Sequence, residues 1–259
     1  MSAAEGTVRL EQHGAVAHVT FERPASRNAL TWAMYAQLDD ALDRVGAAAH
    51  VRVLVLRGAG GCFVAGTDIA QFTSFTSAED GIAYEQRLDA VIDRLESIPV
   101  PTLAVIEHIA AGGGLALAAA CDMRICTPDA RFGAPIARTV GNCLSIANLQ
   151  RLIAHLGMAR TEALLLTAEF LSAGEAHAAG FVLDVVTPDR LDARVTDLCE
   201  RIAAHAPITL QVTKEAVRRL RRSALPDGDD LIRRAYGSRD FQEGVRAFLD
   251  KRAPNWEGR

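Results

Sequence analysis

The chain alternates between short continuous apolar runs and longer stretches with helical spacing. Val8 to Phe21 favours extended backbone, with Gly14 separating VRLEQH from AVAHVTF, and predicts a β-hairpin or two short antiparallel strands. Arg23-Pro24 ends it. Beyond Thr31, a residue suited to capping, Met34, Leu38, Leu42 and Val45 recur at helical spacing until Gly46. Val51 to Gly58 is a continuous Val-rich run, the pattern of a strand covered on both faces. A charged amphipathic helix is predicted around Tyr84 to Leu95, stopping before Pro99 and Pro101. TLAVIEH and MRICTP, from Thr102 and Met123, are two further buried strands, with a glycine run and LALAAACD between them.

The remainder is mostly helical. Helices are predicted over Leu144 to Leu156, Ala159 to Leu166, Ala173 to Ala179, Asp189 to Ala204, Ile208 to Leu220 and about Asp240 to Lys251, with a brief strand at Val182 to Val186. Strand, loop and helix alternate up to about residue 135, which predicts α/β packing. The expected organisation is one α/β core over residues 1–195 and a helical C-terminal region over 196–259.

Composition narrows the function. Of 259 residues, 49% are hydrophobic and 23% charged, which is ordinary globular material. The net charge of −4 and the lack of a Lys/Arg stripe argue against nucleic acid as a partner. Cys62, Cys121, Cys126, Cys143 and Cys199 form no CxxC pair, so reduced thiols in a cytoplasmic protein are expected. MSAAEGTVRLEQ has no basic or apolar segment of the kind a secretory signal needs. The longest nearly uncharged stretch, Ile109 to Cys121, is too short to span a bilayer. His13, His18, His50, His155, His177 and His205 show no metal-ligand spacing, so no metal is expected.

Two glycine-rich turns follow buried strands: GAGGCFVAGTDIAQF, Gly58 to Phe72, and AVIEHIAAGGGLALAAACD, Ala104 to Asp122. Each lies at the carboxyl end of a strand, where α/β proteins bind ligands. The second runs directly into a helix. Its amides at Gly113 and Gly114 would stand at the positive end of the helix dipole, an anion site. Paired with an amide from the first turn, one of them can hold a developing oxyanion. Taken singly, each turn is better explained by tight turning or helix–sheet packing. GAGGCF lacks the third glycine of a dinucleotide loop, no Walker lysine follows, and no GxSxG elbow is present.

Taken together, ERPASRNALT (Glu22 to Thr31), CFVAGTDI (Cys62 to Ile69), AAGGGLALAAACDMRIC (Ala110 to Cys126), ARFGAP (Ala130 to Pro135) and DFQEGVRAFLDKRAPNW (Asp240 to Trp256) resemble, in order, the enoyl-CoA hydratase/isomerase (crotonase) superfamily. The resemblance implies a crotonase-like α/β spiral of ββα units, a helical C-terminal trimerisation region, and a homotrimer or hexamer built as a dimer of trimers. It implies an acyl-CoA substrate of the kind met in fatty acid metabolism, with coenzyme A part of the substrate and no cofactor bound permanently. It places the thioester oxygen between the amides of Thr67 and Gly113. Ala29, Ala65, Thr67, Asp68, Ile69 and Ala70 would line the coenzyme A site, Arg23 or Arg27 would meet its phosphates, and Lys251 would reach coenzyme A bound to a neighbouring subunit. For these basic residues a solvated surface charge is the competing explanation.

The chain departs from the family pattern where a hydratase needs two glutamates. The first expected position is Ala116 and the second Ile136, and neither moves protons. A glycine expected upstream of the triplet is replaced by His108. Replacement candidates lie elsewhere. Cys143 is either a nucleophile activated by the following helix N-terminus or a small buried thiol. Asn142 holds a water or substrate group, or else makes a turn or caps the helix at Leu144. Tyr84 and Glu85 lie on a helix that lines the pocket in relatives, and are bases or surface residues. His108 is an acid–base group or a structural histidine. The expected function is therefore an acyl-CoA enzyme performing isomerisation, hydrolysis, decarboxylation or a related enolate reaction rather than simple hydration. The alternative is a catalytically inactive CoA-ester-binding or assembly protein.

Overall fold

The computed structural model describes residues 5–222 and 229–257. The reading of residues 1–12 as free of a secretory signal falls partly on residues 1–4, outside the described ones. The strands are β1 (Thr7–His13), β2 (Val16–Glu22), β3 (Val53–Gly58), β4 (Thr102–Ile106), β5 (Ile109–Ala111), β6 (Met123–Cys126), β7 (Arg131–Gly133), β8 (Leu171–Ser172) and β9 (Asp184–Val185). The helices are α1 (Trp32–Ala47), α2 (Ala78–Ser97), α3 (Gly113–Ala120), α4 (Ile136–Thr139), α5 (Ile146–Leu156), α6 (Met158–Leu166), α7 (Ala173–Ala178), α8 (Pro188–Ala203), α9 (Pro207–Arg222), α10 (Asp229–Tyr236) and α11 (Arg239–Leu249).

The expected hairpin is present, with β1 and β2 antiparallel. From β2 onward the main sheet is parallel, in the order β1-β2-β3-β4-β6-β9. Its two faces are both covered, which explains the unbroken apolar runs of β3 and β4. Leu54, Leu56, Ala104 and Ile106 point into a core shared with α1, α2 and α3. Val53, Val55, Leu103 and Val105 point the other way, against Leu191, Val195, Leu198 and Ile202 of α8. Alternate residues therefore serve opposite faces, as the period of a strand requires.

Local chemistry sets the helix starts. Thr31 accepts the Met34 amide at 3.2 Å to cap α1, and a reciprocal Ser77–Asp80 capping box opens α2. The second small sheet, β5-β7-β8, was not legible, because its strands are two or three residues long.

The boundary expected from the sequence lies between residues 195 and 196. Helix α8 runs through it, and its Leu198, Cys199 and Ile202 belong to the core beneath the sheet. The C-terminal part begins with α9, which contributes no buried residue of its own and is tied down by Lys214 to Asp122 at 2.7 Å and Arg221 to Glu96 at 2.8 Å. Helices α10 and α11 fold back over the core. Tyr236 and Phe241 join Phe72, Phe75 and Tyr84 in one aromatic cluster, with ring centroids 4.8 Å apart for Tyr236–Phe241 and 4.9 Å for Phe72–Tyr84.

Candidate active site

The two glycine-rich turns lie side by side. Backbone hydrogen bonds zip them together: the Phe63 amide donates to the Glu107 carbonyl, Val64 to Ile109, and Ala111 to Val64. On its other side the first turn pairs with the segment before α1, where the Leu30 amide donates to Gly66 and the Asp68 amide to Leu30. Thr67 sits between these bonds. Its own amide takes no part in the pairing, and Gly113 opens α3, where the first turn of a helix leaves amides unpaired. Neither amide donates to a protein acceptor among the described residues.

Glycine is required where the turns meet. A Cβ on Gly114 would overlap the Val64 carbonyl oxygen. One on Gly113 would lie 2.6 Å from Tyr35 Oη, 3.0 Å from Thr67 Oγ1 and 3.6 Å from the Thr67 nitrogen. The amides of Thr67 and Gly113 are thus neighbours at the positive end of α3. A chain of hydroxyls fixes Thr67 from behind: its Oγ1 lies 2.7 Å from Tyr35 Oη and 3.0 Å from Tyr84 Oη. Burial raises the pKa of both tyrosines, so they remain neutral hydrogen-bonding groups.

Gly112, Gly113 and Thr67 open onto a cavity of about 700 Å³. Arg23, Arg27 and Lys251 stand along its wall, with Ala29, Ala65, Asp68 and Ile69. Elsewhere the wall is largely apolar, with Phe72, Leu88, Ala116, Ile136, Val140 and Leu144. Ala116 and Ile136 therefore face the cavity but bring no ionisable group.

Asn28, a residue that the sequence reading passed over, holds the first turn in place. It is buried and left-handed, with φ 56°. Its Nδ2 donates to the carbonyls of Ala59 and Cys62 at 2.9 and 2.6 Å, and its Oδ1 accepts the Arg23 amide at 2.8 Å. An Asn within a turn tolerates this conformation and supplies such bonds, which is the signal by which it can be found.

Glu85 is the largest surprise. Rather than pointing to solvent, it is buried on α2 and lines the cavity. Tyr236 Oη of α10 donates to Glu85 Oε1 at 2.6 Å, and the Ser145 amide donates to Oε2 at 3.2 Å. Burial, together with the nearby charge of Asp89, pushes the Glu85 carboxyl up to about 8, against the smaller opposing effect of those two hydrogen bonds. Tyr236 gave no signal in the sequence, since nothing there links α10 to α2.

Of the other candidates, some line the cavity and some do not. His108 lies off the cavity, half exposed, with Nδ1 3.6 Å from Asp129. Its φ of 61° explains the position: it occupies a left-handed turn where glycine is the default and histidine is tolerated. Cys143 lies off the cavity lining, in the form of a neutral thiol. Burial and the charge of Glu85 push its thiol up to about 12, and its Sγ faces the Leu231 carbonyl. Asn142 lines the cavity and donates to Tyr236 Oη at 3.1 Å, while Ser145, not Asn142, caps the next helix. Ala70 lies off the cavity wall, and its amide is taken by Asp68 at 3.1 Å. Arg23 is engaged with Asp68 at 2.9 Å and with the Ala29 carbonyl at 3.2 Å, so it braces the loop. Lys251 lines the cavity of its own chain.

Comparison with known proteins agrees with this geometry. Residues 11–259 match the family model for enoyl-CoA hydratase/isomerase. The chain belongs to this family. It is 33% identical over 257 residues to the probable mitochondrial enoyl-CoA hydratase of Dictyostelium discoideum, covering 98% of this chain and 91% of that one. It is 31% identical to the short-chain-enoyl-CoA hydratase of Clostridium acetobutylicum, covering 95% of each. Among solved structures, an enoyl-CoA hydratase/carnithine racemase from Magnetospirillum magneticum superposes with a TM-score of 0.80 at 32% identity, over 97% of this chain and 96% of that one. Methylmalonyl-CoA decarboxylase in complex with 2-nitronate-propionyl-CoA superposes with a TM-score of 0.89 at 25% identity, over 97% and 98%. The fold is the crotonase-like α/β architecture that the motifs implied. Among the described residues, no helix is long and apolar enough to cross a membrane.

Proposed function

We propose that this family member is an enzyme that binds an acyl-coenzyme A thioester and holds its enolate oxygen between the amides of Thr67 and Gly113. The observation that carries the reading is the pair of adjacent, unpaired amides, one on a helix N-terminus, opening onto a mostly apolar cavity. A proton beside a thioester becomes removable when the enolate oxygen is stabilised. Fixed amides do this without reorganising during the reaction. Exposed Arg27 and Lys251 at the cavity wall are the groups offered to the coenzyme A phosphates.

Simple hydration is disfavoured, because Ala116 and Ile136 occupy the two positions where the family pattern expects glutamates. Each missing acid–base group typically costs about 10²–10⁴-fold. Isomerisation, hydrolysis, decarboxylation or another enolate reaction of a largely apolar acyl group fits this cavity better. The superposition on a decarboxylase alongside hydratases is consistent with such breadth. The same reading includes a cytoplasmic protein and a trimer or pair of trimers. In support, the five cysteines are free thiols, and α9 presents exposed Ile208, Val212 and Val217 to a partner.

The test is α-proton exchange. The protein is incubated in D₂O with acetyl-, butyryl- and octanoyl-CoA, and deuterium uptake is followed by mass spectrometry. Uptake above the buffer rate is expected. Tight binding with no uptake and no turnover of any acyl-CoA would instead mark a protein that binds CoA esters without enolate chemistry. Crotonyl-CoA hydration as fast as in the hydratase relatives would overturn the argument from Ala116 and Ile136.

A further inference from the structure

The cavity has an oxyanion hole but lacks both expected glutamates, so its proton must be handled by another group. Among the described residues lining it, the carboxylates are Asp68 and Glu85. Asp68 is committed to Arg23 and to the Ala70 amide. Glu85 follows Tyr84 in the chain, and the Tyr84 hydroxyl reaches Thr67, so α2 carries both the brace of the oxyanion hole and a carboxyl with no cationic partner.

We propose that Glu85 is the proton-carrying group of this site, held in position by Tyr236 from α10. The proposal rests on the enolate reading above. In it, the Glu85 carboxylate takes a proton from the carbon beside the thioester carbonyl. The C–H bond breaks, an O–H bond forms on Glu85, and the electron pair moves to the thioester oxygen between Thr67 and Gly113. The pair then returns to carbon as Glu85 gives the proton back, at the same carbon or, for an unsaturated acyl chain, two carbons further on. No co-reactant is consumed.

The packing is built for this contact. Gly81 and Glu85 are four residues apart and share one face of α2. A Cβ on Gly81 would overlap the Tyr236 ring, so the glycine lets α10 close on α2. That approach delivers the Tyr236 hydroxyl to Glu85 one turn further along. The C-terminal region thereby completes the site of its own chain.

The surroundings give the pH dependence. Asp89 on α2 faces Glu85 with a like charge, itself partly offset by Arg151 of α5 at 3.6 Å. Tyr35 of α1, Tyr84 of α2, Tyr236 of α10 and Cys143 are the other titratable neighbours, and burial keeps all four neutral. Only the carboxylate form removes a proton, so exchange should rise with pH and level off above about 8.

The experiment measures exchange of butyryl-CoA in D₂O from about pH 6 to about pH 9, with the full chain, Glu85→Gln and Tyr236→Phe. Glu85→Gln should lower exchange by about 10²–10⁴-fold while butyryl-CoA still binds. Tyr236→Phe removes a donor to the carboxylate and should move the inflection to higher pH, a shift that loss of packing alone would not produce. Wild-type exchange in Glu85→Gln overturns the proposal, as does an unmoved inflection in Tyr236→Phe. Failure of the enolate reading is distinguishable, because the unaltered protein would then bind butyryl-CoA and exchange nothing.

Discussion

Replacing Gly113 by proline tests the oxyanion hole through its weakest point. Position 113 is the first residue of α3, where proline is tolerated because that amide has no helical partner. The substitution removes the amide hydrogen and adds a side chain. The added Cβ meets Tyr35 Oη at 2.6 Å and Thr67 Oγ1 at 3.0 Å, so crowding alone would disturb the site. Gly113→Ala brings the same Cβ but keeps the amide, and the difference between the two variants isolates the hydrogen bond. Removing one donor of this kind costs about 2.7–4 kcal/mol, or roughly 10²–10³ in rate. Deuterium uptake from D₂O into butyryl-CoA, with thermal melting as a folding control, should place the proline variant that far below the alanine variant. Equal rates in the two would refute the assignment of the Gly113 amide.

Three further outcomes follow from the geometry. Asn28→Ala leaves the buried Cys62 carbonyl, and the partly buried Ala59 carbonyl and Arg23 amide, without this partner, so chemical denaturation should show a loss of about 1–3 kcal/mol for the buried group, whereas an unchanged midpoint would contradict the clamp. Cys143→Ala should retain exchange activity, since a thiol held near 12 supplies no nucleophile; a tenfold or greater loss, on the order of 1.4 kcal/mol, would show otherwise. The third concerns stability. The Glu85 carboxyl is raised from 4.5 in the unfolded chain to about 8, so the folded form keeps a proton that the unfolded chain loses. Its stabilising contribution is complete below about pH 4.5 and is lost as pH rises to about 8, by up to about 5 kcal/mol. Glu85→Gln should flatten urea-measured stability across that window, and parallel curves for the two proteins would argue against a buried, raised carboxyl.

Much of the fold was legible because its signals are local. The apolar runs of β3 and β4, the helical spacing of Met34, Leu38, Leu42 and Val45, and the glycines at 112–114 each declare their role within a few residues. The two amides proposed to hold the oxyanion were readable for the same reason: they are positioned by two contiguous turns. The burial of Glu85, a candidate on the same sequence, was not. Glu85 looks like any charge on an amphipathic helix until α10 covers it, and that closure depends on contacts spanning 151 residues, between Glu85 and Tyr236. His108 misled in the opposite sense, since an ionisable side chain there reports only a backbone turn with φ 61°. Helix α8, which crosses residue 195, is amphipathic in the same way as a peripheral helix, although its apolar face lies beneath the sheet.

The most direct test is a crystal structure with acetoacetyl-coenzyme A, whose enolate is stable enough to be seen bound. The thioester oxygen should lie about 2.7–3.1 Å from both the Thr67 and the Gly113 nitrogen, with Glu85 the carboxyl nearest the adjacent carbon. A thioester bound elsewhere in the cavity, or contacting neither amide, would contradict the account.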